Sequence, residues 1–277
     1  YLGSTMVPEL LAKGHKVTVV DNFMWDQNSL AHACHHPNFD VVRGDVRIEQ
    51  TMLPLIKKAD IIIPLAAYVG APLCARDPVG ASTTNHDAII SMLKHVSKHQ
   101  RILMPTTNSA YGSGDKNNFC DEESPLNPIS LYAIEKVKVE QALMQHPNAT
   151  SFRLATVFGM SPRMRIDLLV NDFTYRALHD RFVVLFESNF KRNYIHVRDI
   201  ARAFLHGIDN YEKTNGQIFN VGLSEANVSK KELCEHIKKQ LPDFTFIDAP
   251  VGKDPDQRNY IVSNAKIEAT GYKPQVS

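Results

Sequence analysis

Tyr1-Leu-Gly-Ser4 opens a helical pattern that ends at Lys13-Gly14, and Val17-Thr-Val-Val20 then runs straight into Asp21. A glycine that starts a helix, followed about 20 residues later by an acid closing a β-rich run, reads as the tail of a dinucleotide-binding fingerprint. In that reading Gly3, entered through Tyr1 and Leu2, lets helix and strand approach closely. Asp21 accepts hydrogen bonds from an adenosine ribose, which favours NAD over a 2′-phosphorylated cofactor, and Asn22 follows it into the loop. The strand and first glycines that begin such a fingerprint are not in the chain, whose true start is expected to lie before Tyr1.

The same alternation continues outward. Short runs rich in β-branched residues recur at Phe39–Val42, Ile61–Leu65, Ile102–Pro105 and Ser151–Leu154. They are continuously apolar, as in parallel strands covered on both faces. Helical patterns at about Ser4–Lys13, Gln50–Lys57, Thr84–His99 and Ser130–Gln145 separate them. Strand and helix in alternation predict an α/β chain with a doubly wound parallel sheet. After Phe158-Gly159 the pattern becomes irregular. Helices are expected near Leu168–His179, Ile200–Asn210 and Lys230–Lys239, and strands at Phe182–Phe186, Asn193–Val197 and Gln217–Val221. The expected division is a cofactor domain over 1–159, to which 191–222 returns, and a smaller irregular α/β substrate domain from 160–190 and 223–277.

Composition is that of an ordinary globular protein of 277 residues, 43% hydrophobic and 22% charged. A formal net charge of +1 provides no field for nucleic acid or an anionic membrane. No apolar run reaches the length of a membrane span, so neither partner is expected. The four cysteines form no Cys-x-x-Cys pair, which suits free thiols in the cytoplasm. His32, Cys34, His35 and His36 cluster before Pro37, but no second ligand group follows at zinc-like spacing, and no metal is expected. Asn148-Ala-Thr150 is a sequon only in form.

Two further pieces belong with the cofactor end. Gly44-Asp45-Val46 follows the second strand and places a carboxylate at an adenine edge. Leu65-Ala66-Ala67 ends the next strand with small residues, where a cofactor backbone passes close to the sheet. The chemistry itself is concentrated in Tyr132-Ala-Ile-Glu-Lys136. A Tyr and a Lys four apart share a helical face. A phenol near pKa 10 is a poor base at neutral pH, and a nearby ammonium favours its phenolate.

Joined to Thr107-Asn-Ser-Ala-Tyr-Gly112, Asp21-Asn-Phe23, Gly44-Asp45, Leu65-Ala-Ala67 and Arg192-Asn-Tyr-Ile-His-Val-Arg-Asp199, this motif makes the chain resemble the extended short-chain dehydrogenase/reductases that act on nucleotide sugars. The resemblance runs over essentially the whole length and implies a Rossmann domain holding NAD. It makes Tyr132 the proton acceptor and Lys136 the residue that binds the nicotinamide ribose and lowers the tyrosine pKa. Thr107 hydrogen-bonds the sugar hydroxyl that is oxidised. Family 4,6-dehydratases carry an acidic pair after the Ser/Thr; Asn108 and Ser109 stand here, and neither shuttles protons near neutral pH. The Cys of the family's 3,5-epimerase/reductases is also replaced, by Ser109. Redox at carbon 4 is what remains.

For the substrate, the resemblance implies Arg192 and Arg258 as diphosphate contacts, since arginine forks suit phosphate oxygens. Arg163 and Arg165 are further candidates, and Asn171 meets the nucleotide base or ribose. The Asn that ends the family's Arg-x-x-Asn run is Thr156 here. Ile63-Pro-Leu-Ala-Ala67, Val69-Gly-Ala-Pro-Leu-Cys74 and Thr156-Val-Phe-Gly-Met-Ser-Pro-Arg-Met-Arg165 are most similar to GDP-heptose 4-dehydrogenases of capsule biosynthesis. That similarity implies a GDP-linked rather than UDP-linked substrate and a 4-keto product. A nucleotide-sugar 4-epimerase is the alternative, and a non-catalytic NAD(H) sensor a third. The family's habit of pairing the Thr84–His99 and Tyr132–Gln145 helices implies a homodimer.

Overall fold

The computed structural model describes residues 1–112, 119–250, 252 and 258–276. Its main sheet is wholly parallel, with strands in the order Ile218–Val221, Ala149–Leu154, Arg101–Thr107, Ile61–Ile62. A second parallel pair joins Val17–Asp21 to Phe39–Arg43, in register from Val17 opposite Phe39 to Asp21 opposite Arg43. Helices cover both faces, the doubly wound Rossmann-like arrangement.

On one face Met6 and Leu10 of helix Leu2–Ala12 meet Ile200 and Phe204 of helix Val197–Asp209 over Phe152 and Phe219 of the strands. Phe152 and Phe204 meet edge-on with ring centroids 4.9 Å apart, a geometry that adds to area burial. On the other face Ile56, Ile89, Met92, Val139 and Leu143 close over Ile102 and Met104. The continuous apolar runs therefore reflect two-sided burial.

Two elements differ from expectation. The single helix expected over Thr84–His99 is instead an α-turn Pro78–Ser82, a π-turn Thr83–Asp87 and a helix Ala88–Leu93. The wide turn is held by Asn85, 1% exposed, whose amide accepts from Tyr68 N at 2.8 Å and donates to Tyr68 O at 3.0 Å. The strand expected through Leu65 pairs only at Ile61–Ile62, because Pro64 has no N–H for the ladder.

Beyond residue 159 a third core gathers Ala177, Val183, Leu185, Cys234 and Phe244. Phe182–Leu185 pairs in parallel with Thr245–Asp248. Lys191–His196 lies between Thr156–Phe158 and Asn227–Ser229 in a separate three-stranded sheet, whereas Ile218–Val221 lies in the main sheet. Helix Lys230–Gln240 starts with a reciprocal Ser229–Glu232 capping box. Among the described residues no helix is long and apolar enough to cross a membrane.

Candidate active site

Thr107 is the last residue of its strand and is 6% exposed. Its Oγ1 accepts from Ser109 N at 3.1 Å and so caps the tight turn Asn108–Tyr111. Gly112 then turns the chain at φ 66°, where a Cβ would come within 2.1 Å of the Asn127 carbonyl. Only glycine fits that approach. Opposite, Ser130 caps helix Leu131–Leu143 through Ala133 N at 3.3 Å. Tyr132 is the second residue of that helix, which packs against the turn Asn108–Tyr111 that follows Thr107. Lys136, 3% exposed, donates to the Pro105 carbonyl at 3.2 Å. The strand end and the helix face thus bring together the three residues expected to carry the chemistry.

The electrostatics correct one expectation. Burial pushes the Tyr132 phenol up to about 12, against the opposing charges of Arg258 and Arg165. Burial likewise pulls Lys136 down to about 8. Desolvation disfavours both charged forms, so in the protein alone it outweighs the ammonium effect that was expected to lower the tyrosine. A cationic ring placed beside the phenol would act in the needed direction.

Ser109 Oγ accepts from Thr107 Oγ1 at 3.0 Å and also from Arg258 Nη1. Arg258 therefore stands at the Thr107–Tyr132 end of the cleft. Asn108 is 1% exposed, and both polar atoms of its amide lack a hydrogen-bond partner. Arg192 is 3% exposed on the strand Lys191–His196, two residues from Tyr194. That Cys74 and Glu135 are buried was not legible in the sequence. For Glu135 a signal existed, an acid adjacent to the motif lysine, but no periodicity argument shows which way it faces.

At the other end, Tyr1, Asn171 and the 159–165 loop are tied together. Tyr1 Oη donates to the Gly159 carbonyl at 2.7 Å, Gly159 N donates to Asn171 Oδ1 at 2.9 Å, and Asn171 Nδ2 donates to the Arg165 carbonyl at 2.9 Å. Asn171 thus spends both ends of its amide on the loop. Arg163 N donates to Ser4 Oγ at 3.2 Å, and its guanidinium lies 4.9 Å from the centre of the Trp25 ring. Arg165 pairs with Asp167.

The residues read for NAD lie at the strand ends and the start of the first helix. A Cβ on Gly3 would sit 3.3 Å from Leu65 Cδ1, so the helix start lies close to the segment that follows strand Ile61–Ile62. Leu65 and Ala67 are half-buried, and Ala66 is exposed. Asp21 is exposed at its strand end, with Oδ1 accepting from Phe23 N at 2.7 Å, and Asn22 Oδ1 accepts from Met24 N at 3.1 Å. Asp45, next to half-buried Val46, is held by the Arg47 guanidinium, with Nε 2.9 Å from Oδ1, which lowers its pKa. Among the described residues no three His, Cys, Asp or Glu side chains converge as a metal site.

The chain is 25% identical over 291 aligned positions to UDP-glucuronic acid decarboxylase 1 of Arabidopsis thaliana, covering all of this chain and 65% of that protein. It is 27% identical to UDP-N-acetyl-alpha-D-glucosaminuronate decarboxylase of Bacillus cytotoxicus, covering 86% of this chain and 76% of that one. It thus spans just under two thirds of the plant relative's length. The crystal structure of the Thermotoga maritima UDP-glucose 4-epimerase with UDP-glucose superposes with TM-score 0.85 at 25% identity, covering 100% of this chain and 91% of that one. The fold is also that of the Bacillus cereus UDP-glucuronic acid 4-epimerase, with TM-score 0.87 at 19% identity over 100% and 92% of the two chains. Matched over residues 1–222, the chain belongs to the NAD dependent epimerase/dehydratase family, enzymes of Rossmann fold whose cofactor is NAD.

Proposed function

We propose that the protein oxidises carbon 4 of a nucleotide sugar, with UDP-sugar 4-epimerisation as the overall reaction. The observation that carries this is the packing of the turn that follows Thr107 against the helix that carries Tyr132 and, one helical turn further on, the buried Lys136. Thr107 orients the sugar hydroxyl, and Tyr132 receives its proton as general base. Lys136 holds the ribose next to the nicotinamide and keeps positive charge under the phenol. NAD supplies the acceptor for the carbon-bound hydride and, in epimerisation, its return to the opposite face. Arg192, Arg258 and Arg163 hold the diphosphate side of the substrate, with Asn108 and Ser109 at the sugar; Asn171, its amide spent on the 159–165 loop, shapes the nucleotide side through that loop. Tyr1, Leu2, Gly3, Asp21, Asn22, Asp45, Val46 and Leu65–Ala67 line the NAD side. In this proposal residues 1–159 and 191–222 serve the cofactor, and 160–190 and 223–277 the sugar nucleotide.

Similarity of the short motifs alone points to GDP-heptose 4-dehydrogenation. The relatives favour the alternative, since the proteins named above act on UDP-linked sugars and two are 4-epimerases. GDP-heptose specificity and a role in capsule synthesis rest on the short motifs at Ile63–Cys74 and Thr156–Arg165 alone.

Mass spectrometry and NMR of products from UDP-glucose, UDP-glucuronic acid, UDP-N-acetylglucosamine and GDP-heptose with NAD test both. A new isomer of unchanged mass from a UDP-sugar is expected. A product lighter by one hydrogen pair means a dehydrogenase, and loss of carbon dioxide means a decarboxylase; either outcome rejects epimerisation. Tyr132→Phe is expected to lower hydride transfer at least about 100-fold while NAD binding stays unchanged. Full turnover by that variant would reject the mechanism.

A further inference from the structure

Trp25 is the sole tryptophan of the chain and stands half in solvent, 48% exposed. Its loop is firmly built. Phe23 packs against the cluster of Val7, Leu11 and Leu30, Asp21 Oδ1 accepts from Phe23 N, and Asn22 Oδ1 accepts from Met24 N. Phe23 and Asp26 take the left-handed region at φ 54° and 48°, and Asp26 N closes the turn on the Phe23 carbonyl at 3.0 Å. Non-glycine residues seldom adopt that region, and they persist there where the surroundings fix them. The turn sends Phe23 inward and leaves Trp25 outside.

Arg163 meets it from a different part of the chain. Ser161 Oγ donates to the Tyr1 carbonyl at 2.7 Å and Arg163 N to Ser4 Oγ at 3.2 Å, which seats the 159–165 loop on the start of the first helix. From there the Arg163 guanidinium reaches the Trp25 ring, 4.9 Å from its centre, within the range of a cation–π contact. The contact joins the loop that follows Asp21 to the helix start at Tyr1–Ser4. In a dinucleotide fold the ribose is held at the first point and the pyrophosphate at the second. The fold itself has little need of the pair. An exposed cation–π contact adds little to stability, and Phe23 and Ser4 already hold the two loops.

Resting on the NAD side proposed above, we infer that Trp25 and Arg163 form a latch across the bound dinucleotide, with Trp25 a cofactor-retaining residue. To leave, the dinucleotide must part the ring from the guanidinium. The latch sets the rate of cofactor release and takes no part in the proton and hydride steps at Tyr132.

The test is stopped-flow release of NADH from the full chain, chased with excess NAD and read by nucleotide fluorescence. Trp25→Ala and Arg163→Gln should each speed release about fivefold or more, whereas Trp25→Phe, which keeps an aromatic face, stays within about twofold of the wild type. The double variant should release no faster than either single one, because the two side chains act as one contact. Arg163→Gln should also shift the Trp25 emission before any nucleotide is added. Should Trp25→Ala or Arg163→Gln not fold, Trp25→Leu and Arg163→Met repeat the comparison. Release at the wild-type rate from the Trp25 variant, or additive acceleration in the double variant, overturns the inference. Failure of the wild type to turn over any UDP-sugar rejects the proposed function instead, and NADH release still decides the latch.

Discussion

Arg258 Nη1 and Thr107 Oγ1 both donate to the single hydroxyl oxygen of Ser109. Ser109 thereby links Arg258 to the threonine at the end of the strand beside the Tyr132 helix. Charged hydrogen bonds of this kind are stronger than neutral ones. Arg258→Ala should raise KM for the nucleotide sugar about tenfold or more, each tenfold being ~1.4 kcal/mol. Ser109→Ala should cost less, since Arg258 remains present. NAD affinity, measured by nucleotide fluorescence, should not change in either, and a loss of NAD binding would place Arg258 on the wrong side of the cleft.

Lys136 ties activity to stability through pH. Its native value of about 8 lies below the ordinary 10.5, so between those values the native state binds fewer protons than the unfolded chain. Stability therefore rises with pH across that window, and the burial cost is fully present below it. Lys136→Met should remove hydride transfer yet stabilise the fold at pH 7 by about 2 kcal/mol, after the lost bond to Pro105 is counted. The gain should shrink as pH approaches 10. Thermal melts at both pH values check this, and a gain independent of pH would mean simple repacking.

Arg153 and Glu140, 4% and 3% exposed, form a forked pair with Nη2–Oε1 at 2.7 Å and Nε–Oε1 at 3.1 Å. Thr106 at 3.0 Å and Ser151 at 2.6 Å donate to the second carboxylate oxygen, and Tyr111 Oη accepts from Arg153 at 3.0 Å. Removing one partner strands a buried charge. Glu140→Gln should destabilise by about 3–5 kcal/mol in urea unfolding, whereas the exposed pair Arg181–Asp243 should be worth at most about 1 kcal/mol.

Gly159 adopts φ 105°, and a Cβ there would lie 2.2 Å from His196 Nε2. Its carbonyl and amide also anchor Tyr1 and Asn171. Gly159→Ala should cost about 1–3 kcal/mol and loosen the loop that carries Arg163. Faster amide exchange at 159–165 is the expected readout.

The alternation of apolar runs and helical patterns was enough to determine a parallel, doubly wound sheet, because two-sided burial leaves an uninterrupted apolar signature in each strand. Tyr132 and Lys136 were equally legible, since helical periodicity alone stacks residues four apart. Periodicity does not report where a helix widens. Asn85 opens the π-turn through bonds to Tyr68, a partner 17 positions away, so the broken helix at 78–93 lay beyond local pattern. The same holds for the charges. That Tyr132 and Lys136 share a face was written in their spacing, but the sign of their pKa shifts depends on how much water the strand end, the helix Ala71–Arg76 and Arg258 remove. Desolvation is a property of the assembled neighbourhood, and only the tertiary structure determines it.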